Sequence, residues 1–181
     1  PKVSFKINVG MLDSLSSTGS NEVIFLFSAN QGEDLKPLNK IASGGELSRI
    51  TLALKAISAD NLKDEVMIFD EIDAGIGGYT AQVVAEKIAR LATFSVQILC
   101  ITHLPQIACM ADHHINILKK IKNERTTTLI NVLNEDEQVN EIAKMLSGEV
   151  VEHSIVTASK MLKSAKNKKK LWKKQKSLSF T

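Results

Sequence analysis

Two adjacent carboxylates, Asp70-Glu71, close the apolar run Met67-Ile68-Phe69, and upstream of them stands a Gly-rich turn, Ser43-Gly44-Gly45-Glu46. Downstream, the apolar run Val96–Ile101 ends in Thr102-His103. Each piece suits one part of nucleoside triphosphate chemistry. A Gly-rich turn that opens a helix presents backbone N–H groups and the positive end of the helix dipole to a phosphate. An Asp at a strand end can hold Mg²⁺, and a neighbouring Glu can polarise an attacking water. Successive residues of an extended backbone point to opposite sides, so Asp70 and Glu71 can take these two jobs separately. A neutral His can donate to a phosphate oxygen with one ring nitrogen while the other accepts.

Each of these residues also has a plainer reading. Ser43 is a good helix N-cap, with Gly44 and Gly45 supplying backbone freedom only. Asp70-Glu71 could cap the turn that follows, and His103 could be a satisfied structural residue. A carboxylate at the end of a buried strand nevertheless costs desolvation unless a cation or donor offsets it. Three polar sites at the ends of successive elements favour the chemical reading.

At these residues the chain resembles the ATPase heads of the SMC and ABC class, most closely the branch that acts in bacterial DNA repair. Ser43–Arg49 matches the signature motif, Ile68–Glu71 Walker B, Asp73–Gly78 the loop after it, and Thr102–Ala108 the His switch. The resemblance covers roughly residues 3 to 165 and implies a fold: the C-terminal lobe of an ABC/SMC-type head. That lobe is α/β, with a mostly parallel sheet flanked by helices, a β-hairpin and C-terminal helices. It also implies ATP and Mg²⁺ as ligands, with Asp70 holding the metal through water, Glu71 as the base and His103 as the γ-phosphate switch. Ser43, Gly44, Gly45 and Glu46 would reach in trans to ATP held by a second head. The Gly-rich loop that carries Asp73, Gly75 and Gly77 would lie close against that partner; Gly77 stands where relatives of this class place an Asp, which leaves the part Asp73 plays in that contact open. Other SMC-like chromosome proteins and ABC transporter subunits share much of this pattern. Transporters usually carry Leu-Ser-Gly-Gly-Gln, whereas Ala42 and Glu46 flank the motif here.

A P-loop needs Gly-x-x-x-x-Gly-Lys-Ser/Thr, and no Gly-Lys dipeptide occurs in the 181 residues. The resemblance therefore implies half of an active site. The N-terminal half of the same head would bring the Walker A Lys, a second head would complete an ATP-dependent homodimer, and DNA would be a further partner. The isolated chain should hydrolyse ATP hardly at all. Its start, Pro1-Lys2-Val3, fits a fragment of a longer chain. No apolar run reaches the ~18 residues of a membrane span, and a cytoplasmic, nucleoid-associated setting is expected.

The composition, 44% hydrophobic and 24% charged, fits one domain with a real core. Net charge is +3, yet nine lysines and no acid lie from Lys160 onward, so the preceding part nets −6. Residues 1–165 read as the lobe and 166–181 as a basic, flexible tail. That tail could contact phosphate backbone with Trp172 stacking on a base, or simply be a solvated terminus. His103, Cys109, His113 and His114 could be drawn as zinc ligands, but their spacing fits no structural zinc pattern. Cys100, inside an apolar strand, reads as a buried free thiol.

The positioning elements follow from periodicity. Val3, Phe5, Ile7 and Val9 alternate with polar residues as a half-buried strand; Gly10–Asn21 reads as a connection, and Glu22–Ser28 as a second strand closed by a turn at Asn30–Glu33. Helices are expected over Glu46–Ala59, with Leu47, Ile50, Leu54 and Ile57 at helical spacing, and over Thr80–Ala92. Val66–Phe69 and Val96–Ile101 read as parallel strands with ligands at their carboxyl ends. A hairpin over Ile115–Lys120 and Thr127–Leu133, turning at Lys122-Asn123-Glu124, precedes helices Glu135–Leu146 and Val151–Ala165.

Overall fold

A computed structural model of the chain describes residues 3–28, 32–40, 43–59, 65–94, 96–122 and 125–178. The expected turns at Asn30-Gln31 and Asn123-Glu124, and Ala42 at the head of the signature motif, lie outside these residues. The elements in chain order are β1 (Ser4–Ser16), β2 (Gly19–Ser28), β3 (Lys36–Pro37), α1 (Gly44–Ile57), β4 (Val66–Phe69), α2 (Gly78–Leu91) and β5 (Gln97–Cys100). Then come α3 (Pro105–Ala108), β6 (Ile115–Lys122), β7 (Arg125–Val132), α4 (Glu135–Ser147) and α5 (Glu152–Leu178). The class is α/β, as the sequence pattern implies.

The parallel component is the pair β4–β5, in register Val66↔Gln97 to Phe69↔Cys100. Both strands therefore finish side by side, Asp70-Glu71 following one and Thr102-His103 following the other after a single further residue. Met67 and Phe69 turn into the core, while Val66, Ile68, Leu99 and Ile101 on the opposite face stand exposed. The core lies between that pair and the helices: Ile72, Leu91 and Ile142 are fully buried, with Val84, Ile88, Ile107 and Ala158 around them.

Three expectations are corrected. The connection expected over Gly10–Asn21 is mostly strand, because β1 and β2 pair antiparallel past Gly10↔Glu22 and Met11↔Asn21 to Ser16↔Gly19, leaving only Ser17 and Thr18 at the tip. Ladder hydrogen bonds along one hairpin outweigh the weak strand propensity of Gly and Ser. In α1 most of the expected apolar stripe does not face the core: Leu47, Leu54 and Ile57 are exposed and Ile50 is half-buried, while Gly45 and Leu52 are the buried positions.

The third correction concerns the basic tail, which continues as helix α5 through Leu178. Lysine is a good helix former, and neither Gly nor Pro follows Gly148. The lysines also find partners. Lys166 pairs with Glu135 at 2.6 Å, and Lys168 pairs with Glu86. Lys169 donates to the carbonyls of Met110 and Ala111 and to Asp112 Oδ1 at 3.1, 3.0 and 2.8 Å. Trp172 packs against the edge of the core instead of presenting its ring for base stacking.

The surrounding ends are well capped. Asn134 and Glu137 form a reciprocal capping box at the start of α4, and Gly148 ends it in the left-handed conformation at φ 80°. Among the described residues, no helix is long and apolar enough to cross a membrane.

Candidate functional site

The site is assembled at the carboxyl ends of β4 and β5, with the start of α1 drawn up against it. Ser43 is the N-cap of α1: its backbone is extended, and its Oγ accepts from the Glu46 N–H at 3.4 Å. Two side chains one turn further on tie this helix to the end of β4. Ser48 Oγ donates to the Asp70 carbonyl at 3.1 Å, and Arg49 Nη1 donates to the carbonyls of Ile72 and Ala74 at 3.2 and 2.9 Å. Sequence reasoning assigned Ser48 and Arg49 to the motif but gave them no task. Their signal is the helical spacing that puts them on the same side as Gly45.

Gly45 shows what this docking requires. A Cβ there would lie 2.7 Å from the Glu71 carbonyl oxygen and 3.0 Å from Ala74 Cβ, inside any normal contact distance. At Gly44 the obstacle would be the Glu71 carboxylate, with Oε2 at 2.8 Å, which is the movable end of a side chain. Both signature glycines thus make room for Glu71 of their own chain. That is a second requirement for small residues beside the close approach to phosphate expected from the sequence.

Asp70 and Glu71 are exposed. Asp70 Oδ1 accepts from the Glu71 N–H at 2.9 Å, which is the turn-capping role weighed in the sequence, and its other oxygen makes no hydrogen bond among the described residues. Mg²⁺ usually keeps several waters and is held by one or two carboxylates together with substrate phosphates. A single exposed carboxylate fits that requirement. Among the described residues no three His, Cys, Asp or Glu side chains converge on a common point. Glu71 has φ 56°, the only described non-glycine residue in the left-handed region. Its carbonyl accepts from the Ala74 N–H at 2.9 Å, closing a tight turn. Gly75 at φ 71° and Gly78 at φ 51° supply the conformations the loop needs before α2, while Gly77 is extended and serves as the N-cap of α2 without a side-chain cap.

Asp73 is turned inward. Its side chain is 5% exposed and faces the adjacent strand end. Oδ2 accepts from Thr102 Oγ1 at 2.6 Å and from the His103 backbone N–H at 2.9 Å, and lies 3.0 Å from His103 Nδ1. Thr102 Oγ1 in turn accepts from the Leu104 N–H at 3.0 Å. Burial alone would raise the Asp73 carboxyl, but the hydrogen bonds from Thr102 and His103 and the charge of His103 outweigh it and hold it below its ordinary value. Nothing in composition or periodicity marks Asp73 for this task; only the pairing of β4 with β5 brings it to Thr102.

Around the site, burial, reinforced by Asp73 and Asp70, pushes the Cys100 thiol up to about 11, and burial does the same to Cys109. Cys109 Sγ donates to the Gln106 carbonyl at 3.3 Å. The Gln106 side-chain oxygen is turned inward with no partner among the described residues.

No protein-family model matches the chain. Curated relatives do. It is 48% identical over 152 residues to the DNA repair protein RecN of Bacillus subtilis, a stretch covering 83% of this chain and 26% of that protein. It is 50% identical over 130 residues to RecN of Halalkalibacterium halodurans, covering 72% and 23%. It is 43% identical over 152 residues to RecN of Haemophilus influenzae, covering 83% and 27%. A solved structure described under "Structural biochemistry of ATP-driven dimerization and DNA stimulated activation of SMC ATPases" is a loose likeness. Its TM-score is 0.40 at 19% identity, over 72% of this chain and 76% of that one. The chain spans about a quarter of the length of the curated relatives it matches, and over that stretch it is a relative of the DNA repair protein RecN.

Proposed function

We propose that this chain is the C-terminal half of an SMC-type ATPase head in a RecN-like protein of recombinational double-strand break repair. It would act as an ATPase only when the N-terminal half supplies Walker A. The observation that carries the reading is the juxtaposition of Asp70-Glu71 and Thr102-His103 at the ends of two hydrogen-bonded parallel strands. Ligands of open α/β sheets bind at such ends. In this reading Asp70 would hold Mg²⁺ through water, and the ion would supply charge neutralisation at the phosphates. Glu71 polarises the attacking water, and His103 contacts the γ-phosphate. Ser43, Gly44, Gly45 and Glu46 face ATP bound by a second head, with Gly75 and Gly77 in the loop beside that interface. DNA is a partner of the complete protein, at the nucleoid in the cytoplasm.

The uncovered face of β4–β5 supports the missing half. Parallel strands are ordinarily covered on both faces, yet Ile68 is 69% and Ile101 59% exposed. The N-terminal half is the occupant that fits an apolar face beside a site lacking its P-loop. Identity to RecN favours repair over transport.

The test is reconstitution. The isolated chain should show no ATPase above background, and adding the Walker A half should restore it; robust hydrolysis by the chain alone would sink the half-site reading. In the reconstituted head Glu71→Gln should bind ATP and trap a dimer, whereas Asp70→Asn should weaken Mg-ATP binding. Mixing Ser43→Arg heads with Glu71→Gln heads should recover partial turnover if the signature motif acts in trans, since both lesions then fall on one composite site.

A further inference from the structure

We infer that the outward row of α5, made of Lys160, Lys163, Lys170 and Lys174 with Asn167 among them, is a surface for the phosphate backbone of duplex DNA. The inference deepens the reading in which DNA is a partner and rests on it for the choice of DNA; the row itself is a property of this chain. These five positions recur at alternating spacings of three and four, so they lie along one face of the helix. All five are exposed, whereas Ser154, Ala158 and Ala165 are buried on the other side. At ~1.5 Å per residue the row is about 21 Å long.

The lysines of α5 divide by what they meet. Lys168 pairs with Glu86, and Lys169 with Asp112 and the carbonyls of Met110 and Ala111. Lys166 pairs with Glu135. Lys160, Lys163 and Lys170 make no ion pair among the described residues, and Lys174 carries their line one turn further. No acid follows Glu152 in the chain, so nothing on the helix itself offsets the row. The whole chain carries +3 and nine lysines lie from Lys160 onward, which leaves −6 before it. Positive charge is therefore concentrated on this one helix.

The chemistry of the row selects its partner. Duplex DNA carries one negative charge per ~1.7 Å of axis, and lysines set against its phosphates hold it without reading sequence. Single strands are held by aromatic side chains on which bases stack, and the Trp172 ring is packed against the core. A membrane surface calls for an apolar face opposite the basic one. In α5 that face is taken up by the protein core, and from Lys160 onward Leu171 is the one exposed large apolar side chain among the described residues.

The experiment is titration of the 181-residue chain with a fluorescein-labelled duplex of about 20 base pairs, read by anisotropy between about 50 and 200 mM salt. Each phosphate neutralised adds about −0.9 to the slope of log K against log salt. Lys160→Gln, Lys163→Gln, Lys170→Gln and Lys174→Gln together should make that slope shallower by about 3 to 4 and weaken binding on the order of 10-fold or more at the lower salt. Gln has nearly the helix propensity of Lys, so α5 should persist, which an unchanged melting temperature checks. A charge-matched control, Lys6→Gln, Lys36→Gln, Lys119→Gln and Lys120→Gln, removes four exposed lysines elsewhere and should leave the slope within about 1 of the parent. Equal losses in the two variants would mean that net charge alone attracts DNA, and the inference would fall. It would fall equally if the unsubstituted chain bound no duplex, or bound a single strand of the same length or phosphatidylserine vesicles more tightly. Failure of the ATPase reading looks different: the reconstituted head would hydrolyse nothing in the absence of DNA, while the lone chain still held duplex through α5.

Discussion

At Gly45 the tolerance for a single methyl group is set by the chain's own Glu71. The Cβ of Gly45→Ala would sit 2.7 Å from a backbone carbonyl that Ala74 already bonds, so the whole turn must shift. A cost of ~1–3 kcal/mol is expected from such overpacking, measured by urea denaturation of the chain. Gly44→Ala meets only the mobile end of Glu71 and should stay within about 1 kcal/mol of the parent. Equal effects at the two positions would contradict the docking described. Asp73 gives a pH signature. Its folded value is depressed, so its contribution to stability is complete above the ordinary 3.8 and is lost as pH falls below that value toward the depressed one. Asp73→Asn should remove this component of the acid limb, read from melting temperature against pH. The two thiols, each near 11, should remain protonated and resist alkylation by iodoacetamide at pH 8 in the folded chain. Glu71 holds a left-handed backbone at a cost of ~1–3 kcal/mol. Glu71→Gly should therefore raise stability while abolishing turnover of a complete head.

At the scale of elements, α5 is a strap, and its lysines differ in what they contribute. Lys169 has a 12% exposed side chain and satisfies the carbonyls of Met110 and Ala111, just past α3, as well as Asp112, whereas Lys166 meets Glu135 in the open. Lys169→Ala should cost about 1–3 kcal/mol, because two carbonyls and a carboxylate lose a charged donor, and Lys166→Ala no more than ~0.5 kcal/mol. Similar losses from both would show that the strap is held by apolar packing alone. The parallel pair, the second hairpin and α4 were legible in the sequence because their periodicity and caps are local. The reach of β1 through Gly10 was not, because pairing with Glu22 and Asn21 decides it. The inward face of α1 was also illegible, since apolar residues at helical spacing say that a face exists and not what covers it. In the site, Asp70, Glu71 and His103 were legible as residues at strand ends. The tasks of Arg49 and Asp73 were not, because each depends on a contact across more than twenty positions of sequence.

For the whole molecule, the exposed face of β4–β5 separates stability from assembly. Ile68 is 69% exposed, so Ile68→Asp should change the stability of the lone chain by no more than ~0.5 kcal/mol. It should nevertheless abolish reconstitution with the Walker A half, measured as co-elution and restored ATPase. Normal reconstitution by Ile68→Asp would mean that another surface receives that half.

That same uncovered strand pair makes the head a problem in chain topology. If its other half lies elsewhere in one polypeptide, whatever joins the two is a loop that the fold must close. Closure entropy grows only logarithmically, by about 0.6 kcal/mol for each doubling of loop length. An intervening segment several times the length of this chain would therefore weaken the union of the halves only slightly. Its stiffness and the placement of its ends would matter far more than its length. A sheet divided this way can carry a long insertion without losing its site.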